Sequence, residues 1–177
     1  MMRFVLIISF QIILIFCLVG CSNSTPTNAI QIVYSIANAE QILPKQVGFV
    51  NDYSFVFTPE EREILENQLK NYSNETTNQI AILTIDNIDP YTDIMHYTTD
   101  LGNYWGIGLA EKDNGLLIVM RTEDRQIRIS SGKGTQKILT DEILKETIDS
   151  IIIPKFKEEK FYEGIQDGIN DLIKKWN

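Results

Sequence analysis

Asp113, Asn114 and Asp141 are the residues of this sequence whose types and order best suit chemistry. With Gly132 and Gly134, which permit close backbone approach, they can form one oxygen-rich cluster. The condition is that the fold brings three stretches to one end of a sheet: the Asp-Asn-Gly turn, the Ser131-Gly132-Lys133-Gly134-Thr135 turn and a helix starting near Thr140. Carboxylates and carbonyls without thiolates or several imidazoles suit a hard cation. Ca²⁺ takes about six to eight oxygens in flexible geometry, and Mg²⁺ prefers fewer protein oxygens plus water. The same residues also suit plain architecture, since Asp-Asn-Gly is a common turn and Asp141 can cap its helix.

Other chemistries fit less well. His96 is the single histidine, so a Ser-His-Asp triad has one candidate base and no Gly-x-Ser-x-Gly elbow to serve. The two cysteines are Cys17 and Cys21; the first lies in the leader described below and the second is the residue expected to carry lipid, leaving no disulfide or thiolate zinc site in the body. Gly132-Lys133-Gly134-Thr135 lacks the G-x-x-x-x-G-K-[ST] spacing of a phosphate loop, and no nucleotide cofactor is expected. With 24 acidic against 16 basic residues, the net charge of -8 argues against nucleic acid, because phosphate neutralisation needs clustered Lys and Arg. A hydrophobic fraction of 44% is too high for a disordered chain.

These side chains need elements to position them. Thr58, Pro59 and Glu61 form a capping-box start, and Ile64, Leu65, Leu69 and Tyr72 then share one helical face. Ile80-Ala81-Ile82-Leu83-Thr84-Ile85 reads as a buried strand. Ile94, Tyr97, Leu101, Tyr104 and Trp105 mark a second helix that stops at Gly106. The continuous apolar run 116–120 reads as a central strand covered on both faces. After the short connection 122–125, the alternating segment 126–130 reads as a half-exposed antiparallel edge strand. Two further helices are expected, from about Thr140 to Ile153, where Pro154 stops it, and from about Phe161 to Trp176.

Strand, helix, strand predicts a parallel pair with a right-handed crossover. Helices on both faces then give an α/β sandwich, with a mixed sheet carrying a parallel pair and an antiparallel edge hairpin. In that arrangement Asp113, Asn114 and Asp141 share one end of the sheet, and Asp86 and Asp124 the other.

The start of the chain has a separate purpose. Arg3 is followed by an apolar run from Phe4 to Val19, roughly 15 residues, where a permanent span needs about 20. Leu18-Val19-Gly20-Cys21, followed by Ser22-Asn23-Ser24-Thr25-Pro26, resembles the lipobox of bacterial lipoproteins. That resemblance implies a signal peptide over 1–20, cleavage before Cys21, and acylation (palmitate among the acyl groups) of its sulfur and new amino group. Residues 21–46 are then a lipidated Cys and polar tether, and 47–177 the folded domain. The expected location is the bacterial cell envelope, outside the cytoplasm, with lipid rather than charge holding the protein to a membrane.

The folded part resembles one known family. Asn51-Asp52-Tyr53 before a Thr-Pro-Glu-Glu helix start, Tyr104-Trp105-Gly106-Ile107-Gly108 and Lys112-Asp113-Asn114-Gly115-Leu116-Leu117 together resemble the TPM-domain family. Gly132-x-Gly134, Leu139-Thr140-Asp141, Ile153-Pro154-x-Phe156 and Tyr162-x-Gly164-Ile165 fit it too. The family takes its name from a thylakoid-lumen acid phosphatase, a photosystem II repair protein and a nematode receptor modulator. The resemblance implies a three-layer, Rossmann-like α/β/α sandwich with an acidic site for divalent cations, Ca²⁺ in particular. Its acidic positions map onto Asp52 and Asp113, with Asp141 at a less uniform position and Asp124 matching a pattern that reads here as structural.

Two functions follow as expectations. One is a membrane-anchored module that binds a cation through Asp52, Asp113, Asn114 and Asp141 and serves a membrane-protein complex in assembly or repair. The other is a metal-dependent acid phosphatase acting on phosphomonoesters, with Asp52 as nucleophile or base and Lys133 meeting the phosphate. Missing Asp-x-Asp and His-based signatures, and an acidic pocket that repels phosphate, weigh against the second.

Overall fold

The computed structural model describes residues 42–176. The leader 1–20, Cys21 and nearly all of the tether lie outside them. The elements run β1 (Val50–Asp52), α1 (Pro59–Thr76), β2 (Gln79–Ile85), α2 (Ile94–Trp105), β3 (Gly115–Arg121) and β4 (Gln126–Ser131). A short turn of helix (Thr135–Lys137), α3 (Asp141–Thr147), a π turn (Ile148–Ile152), α4 (Ile153–Lys157) and α5 (Phe161–Trp176) complete the chain.

Local chemistry sets the element starts. Thr58 accepts from the Glu61 amide at 3.2 Å while the Glu61 carboxylate accepts from the Thr58 amide at 2.9 Å, with Pro59 in the first turn. The two acceptors satisfy donors that a helix start leaves open. Asp93 caps α2 by accepting from the Met95 amide at 2.9 Å, and Gly106 closes it in the left-handed conformation. His96 pairs with Asp93 on the exposed side of this helix.

The sheet order is β1-β2-β3-β4, parallel between β1, β2 and β3 and antiparallel between β3 and β4. Alternate residues of the central strands feed two cores. Ile80, Ile82, Leu116, Ile118 and Met120 pack with Leu65, Leu69 and Tyr72 of α1 and with Leu144, Ile152, Ile165, Ile169, Leu172 and Trp176 of the later helices. On the other face Ala81, Leu83, Leu117 and Val119 pack with Tyr97 and Leu101 of α2. The result is a three-layer α/β/α sandwich with a mixed sheet, as the sequence predicts. Leu65 and Leu69 are wholly buried, each contributing about 2 kcal/mol of transfer free energy.

Four expectations need correction. Strand β1 has no counterpart in the sequence reading: it is three residues long and two of them, Asn51 and Asp52, are polar, yet all three are buried. Its start is held from outside by Glu66 of α1, which accepts from the Phe49 and Val50 amides at 3.1 and 2.7 Å. Packing also begins before Val47, since Leu43 is buried against the α2 face and the Trp105 indole donates to the Pro44 carbonyl at 2.8 Å. Ile64, expected on the inner face of α1, is exposed.

The third helix does not end at Pro154. In the preceding π turn the Ile153 amide donates to the Ile148 carbonyl. This widens the backbone where the proline ring would otherwise press on the previous turn, and α4 continues to Lys157.

Crossover hand is the fold's departure from rule. The order β1-β2-β3 advances steadily across the sheet, while α1 covers one face and α2 the other. The two parallel crossovers therefore have opposite hands, and one breaks the right-handed preference that holds in about 98% of cases. α2 is reached through the irregular stretch 86–93 and settles over β3 and β4.

Candidate functional site

The sheet separates the four residues expected to share a cation. Asp52 pairs with Thr84 near the carboxyl end of β2, whereas Gly115, which follows Asp113 and Asn114, pairs with Gln79 at the amino end. Five residue steps of β2 separate these points, roughly 17 Å along the strand. Asp52 therefore does not join Asp113, Asn114 and Asp141.

At the amino end of β3, loops press into a backbone knot. Asp113 adopts a left-handed conformation at φ 47°, which Asp tolerates better than most residues. Its carbonyl accepts from the Gly134 and Thr135 amides at 3.1 and 3.2 Å. The Asn114 side chain, buried at 5% exposure, accepts from the Leu109 amide at 2.8 Å and donates to the Thr77 carbonyl at 2.9 Å and the Asn78 side chain at 3.1 Å. Its polar atoms are committed to joining three segments, so Asn114 acts as a clamp. Asp113 and Asp141 both line one cavity of about 440 Å³, and Gln136 donates to Asp141 at 3.4 Å. The expected grouping of Asp113 with Asp141 at this end thus holds in space.

Asp52 belongs to the opposite end. Its side chain is 9% exposed; it accepts from the Val56 amide at 2.9 Å, the Phe57 amide at 3.0 Å and the Thr84 hydroxyl. These bonds fold the turn between β1 and α1. From there oxygens continue across the crest of the sheet. The Ser54 amide donates to Thr84 Oγ1 at 3.3 Å, Ser54 and Thr122 hydroxyls meet at 3.3 Å, and Thr122 Oγ1 donates to Asp86 at 2.6 Å. Asp124, beside them, is taken up by Arg121, whose Nε donates to it at 2.7 Å. That hydrogen bond, with the guanidinium charge, holds its carboxyl below the usual range.

This crest lies where the connections leave β1, β2 and β3, the position at which open α/β sheets commonly take ligands. Sequence reasoning missed Ser54, Thr84, Asp86 and Thr122 as a group. The available signal was a hydroxyl or carboxylate residue at the carboxyl end of each parallel strand, legible only once β1 is recognised. Among the described residues no three His, Cys, Asp or Glu side chains gather into a metal-binding group. The crest offers two carboxylates joined through neutral hydroxyls.

The Thr122 hydroxyl, and then that of Ser54, hold the Asp86 carboxyl below its ordinary 3.8. A lowered folded-state value contributes stability above the unfolded pKa, and that contribution is lost as pH falls through the folded value. Thr122→Val is therefore expected to move the Asp86 titration, followed by carboxyl-carbon NMR, up toward 3.8 and to lower stability above that pH, with the difference from the native chain fading as pH falls through the folded value. An unmoved titration would show that Thr122 does not stabilise the charge.

A family model described as TPM domain matches residues 50–175. Three solved structures share the fold. The N-terminal domain of a protein from P. gingivalis is 23% identical with a TM-score of 0.66, over 80% of this chain and 86% of that one. BA42 from the psychrophilic bacterium Bizionia argentinensis is 21% identical with a TM-score of 0.59, over 68% and 86%. The N-terminal domain of the cg2496 protein from Corynebacterium glutamicum is 15% identical with a TM-score of 0.58, over 76% and 84%. No curated protein matches the chain in sequence.

Proposed function

The chain belongs to the TPM domain family, and from that premise we propose that it is a membrane-anchored, extracytoplasmic interaction module, tethered by lipid on Cys21, that binds a divalent cation at the carboxyl-end crest of its sheet. Calcium is the preferred ion. The observation that carries this reading is the run of oxygens Asp52, Thr84, Ser54, Thr122 and Asp86, drawn from three strand ends beside a loop whose Tyr53 and Phe55 are exposed. Irregular loops with mixed carboxylate and hydroxyl donors suit the flexible shell of Ca²⁺ better than the strict octahedron of Mg²⁺. Asp52 and Asp86 would supply the charge, the hydroxyls neutral ligands, and water the remainder. A cation there would fix the loop carrying Phe55, which stands 84% exposed with φ at 53°, and so prepare an apolar contact for a membrane-complex partner.

The support for the anchor is the Leu18-Val19-Gly20-Cys21 pattern behind its apolar run. Among the described residues no helix is long and apolar enough to cross a membrane. The phosphatase version loses its geometry, because Asp52 and Lys133 stand at opposite ends of the sheet.

Calorimetric titration of the chain with CaCl₂ and MgCl₂ tests the proposal. Heat with Ca²⁺ is expected, with affinity at least tenfold weaker in Asp86→Asn and no turnover of phosphomonoesters. Absence of heat, or equal binding by Asp86→Asn, would remove the cation from the crest. Turnover that follows the cation and disappears in Asp86→Asn would replace the module by a phosphatase.

A further inference from the structure

The cavity at the other end of the sheet holds an unexplained cation. β4 alternates as an edge strand should, but its polar side is covered. Arg128 pairs with Val119 and Ser130 with Leu117, and Val119 and Leu117 belong to the core beneath α2. Arg128 and Ser130 therefore face α2 across the cavity of about 440 Å³, whose opposite wall includes Thr98, Gly102 and Asn103. Arg128 Nε is buried and has no hydrogen-bond partner; the only other such side-chain atom among the described residues is Tyr97 Oη. Among the described residues Arg121 and Arg125 pair with Asp124 and Glu159, whereas Arg62, exposed on α1, and Arg128, on the covered side of β4, have no ion pair.

A guanidinium donor buried without an acceptor is unfavourable. Its planar fork matches a carboxylate through two parallel N–H bonds. Among the described residues no carboxylate comes within ion-pair distance of Arg128, so the geometry points to one from outside. The remaining charges narrow its kind. Asp113 and Asp141 line the same cavity and disfavour a dianion such as phosphate, while favouring a positive group at their end. From Arg128 to Gly132, beside Asp113, four residues of strand span roughly 13 Å. That exceeds the ammonium-to-carboxylate distance of one amino acid and suits an extended chain of two or three residues.

We propose that the crevice between α2 and β4 binds short zwitterionic peptides of two or three residues. Arg128, helped by Ser130, takes the carboxylate, and Asp113 and Asp141 face the ammonium group. The site is independent of the cation proposed for the crest.

Titration of the full chain in detergent with trialanine, in EDTA, tests this and leaves the crest aside. Saturable binding is expected, with amide NMR shifts concentrated at Asn103, Gly108 and Ser130. Arg128→Gln should weaken it at least tenfold, and Arg128→Lys, which keeps the charge without the fork, several-fold. Trialanine amide should lose the same tenfold on the native chain, and N-acetyl-trialanine should bind more weakly than trialanine. No saturable binding by the native chain, shifts elsewhere, equal binding of trialanine and its amide, or inorganic phosphate binding more tightly than trialanine would each overturn the proposal. The amide comparison uses no variant, so it stands even if Arg128→Gln fails to fold.

Discussion

Gly115→Ala is expected to lower stability by about 4 kcal/mol or more, enough to unfold a domain of ordinary stability. A Cβ at Gly115 would stand 2.0 Å from the Ile107 carbonyl oxygen and 2.5 Å from its carbon. These are backbone atoms, so no side-chain rotation relieves the overlap. Nor can Gly115 withdraw. It pairs with Gln79 at the start of β3, and its carbonyl accepts from the Gly132 amide at 2.9 Å and the Thr135 hydroxyl at 3.0 Å. The neighbouring glycines are equally confined: a Cβ at Gly134 would lie 1.8 Å from the Lys112 carbonyl oxygen, and one at Gly132 2.3 Å from that of Asp113. Gly106→Ala is the control. Its φ is 63° but nothing lies within 4 Å of the added carbon, so only the left-handed strain, about 1 kcal/mol, is expected. Urea denaturation compares the two directly. A Gly115→Ala midpoint no lower than that of Gly106→Ala would mean that the three loops are not in contact as described. Lys112-Asp113-Asn114-Gly115 thereby gains a structural explanation. Its conspicuous residues make a knot in the backbone, and Asp113 and Gly115 also line the cavity.

This explains which parts of the protein were legible in its sequence. Local signals were read correctly: the Thr58 capping box, the stop of α2 at Gly106 and the apolar run of β3 each depend on residues within a turn or two. The convergence of the Asp113 turn with the 131–135 turn was also legible, because a hairpin of known length returns to the end where its first strand began. Asp52 was not, since its position depends on β1. Three residues with two polar side chains leave no periodicity, and their burial relies on Glu66 and Thr84, which are remote in sequence. Without β1, Asp52 could be placed only before a helix and not at an end of the sheet. The covered polar side of β4 escaped for a related reason. Alternation shows that two faces differ, but water and a helix-lined crevice produce the same pattern.

Replacing Asp52 is expected to cost nearly as much as replacing Gly115, at the opposite end of the sheet. Asp52→Ala should lower stability by about 3–5 kcal/mol and Asp52→Asn by about 2, because charge-assisted hydrogen bonds are strong and a buried donor left without an acceptor is costly. Alanine leaves the Val56 and Phe57 amides and the Thr84 hydroxyl without their acceptor. Asparagine offers one oxygen where the carboxylate offers two, so its NH₂ group must face at least one of these donors. Asp86→Asn provides the contrast. Asp86 is exposed and accepts through hydroxyls at the crest, so its substitution should leave the urea midpoint nearly unchanged while weakening Ca²⁺ binding. Measuring both quantities in both variants separates architecture from ligation: Asp52→Asn moves stability and calcium affinity together, Asp86→Asn calcium affinity alone. Were Asp52→Asn as stable as the native chain, the carboxylate would not be what folds the turn. Its burial would then have to be explained by the cation itself.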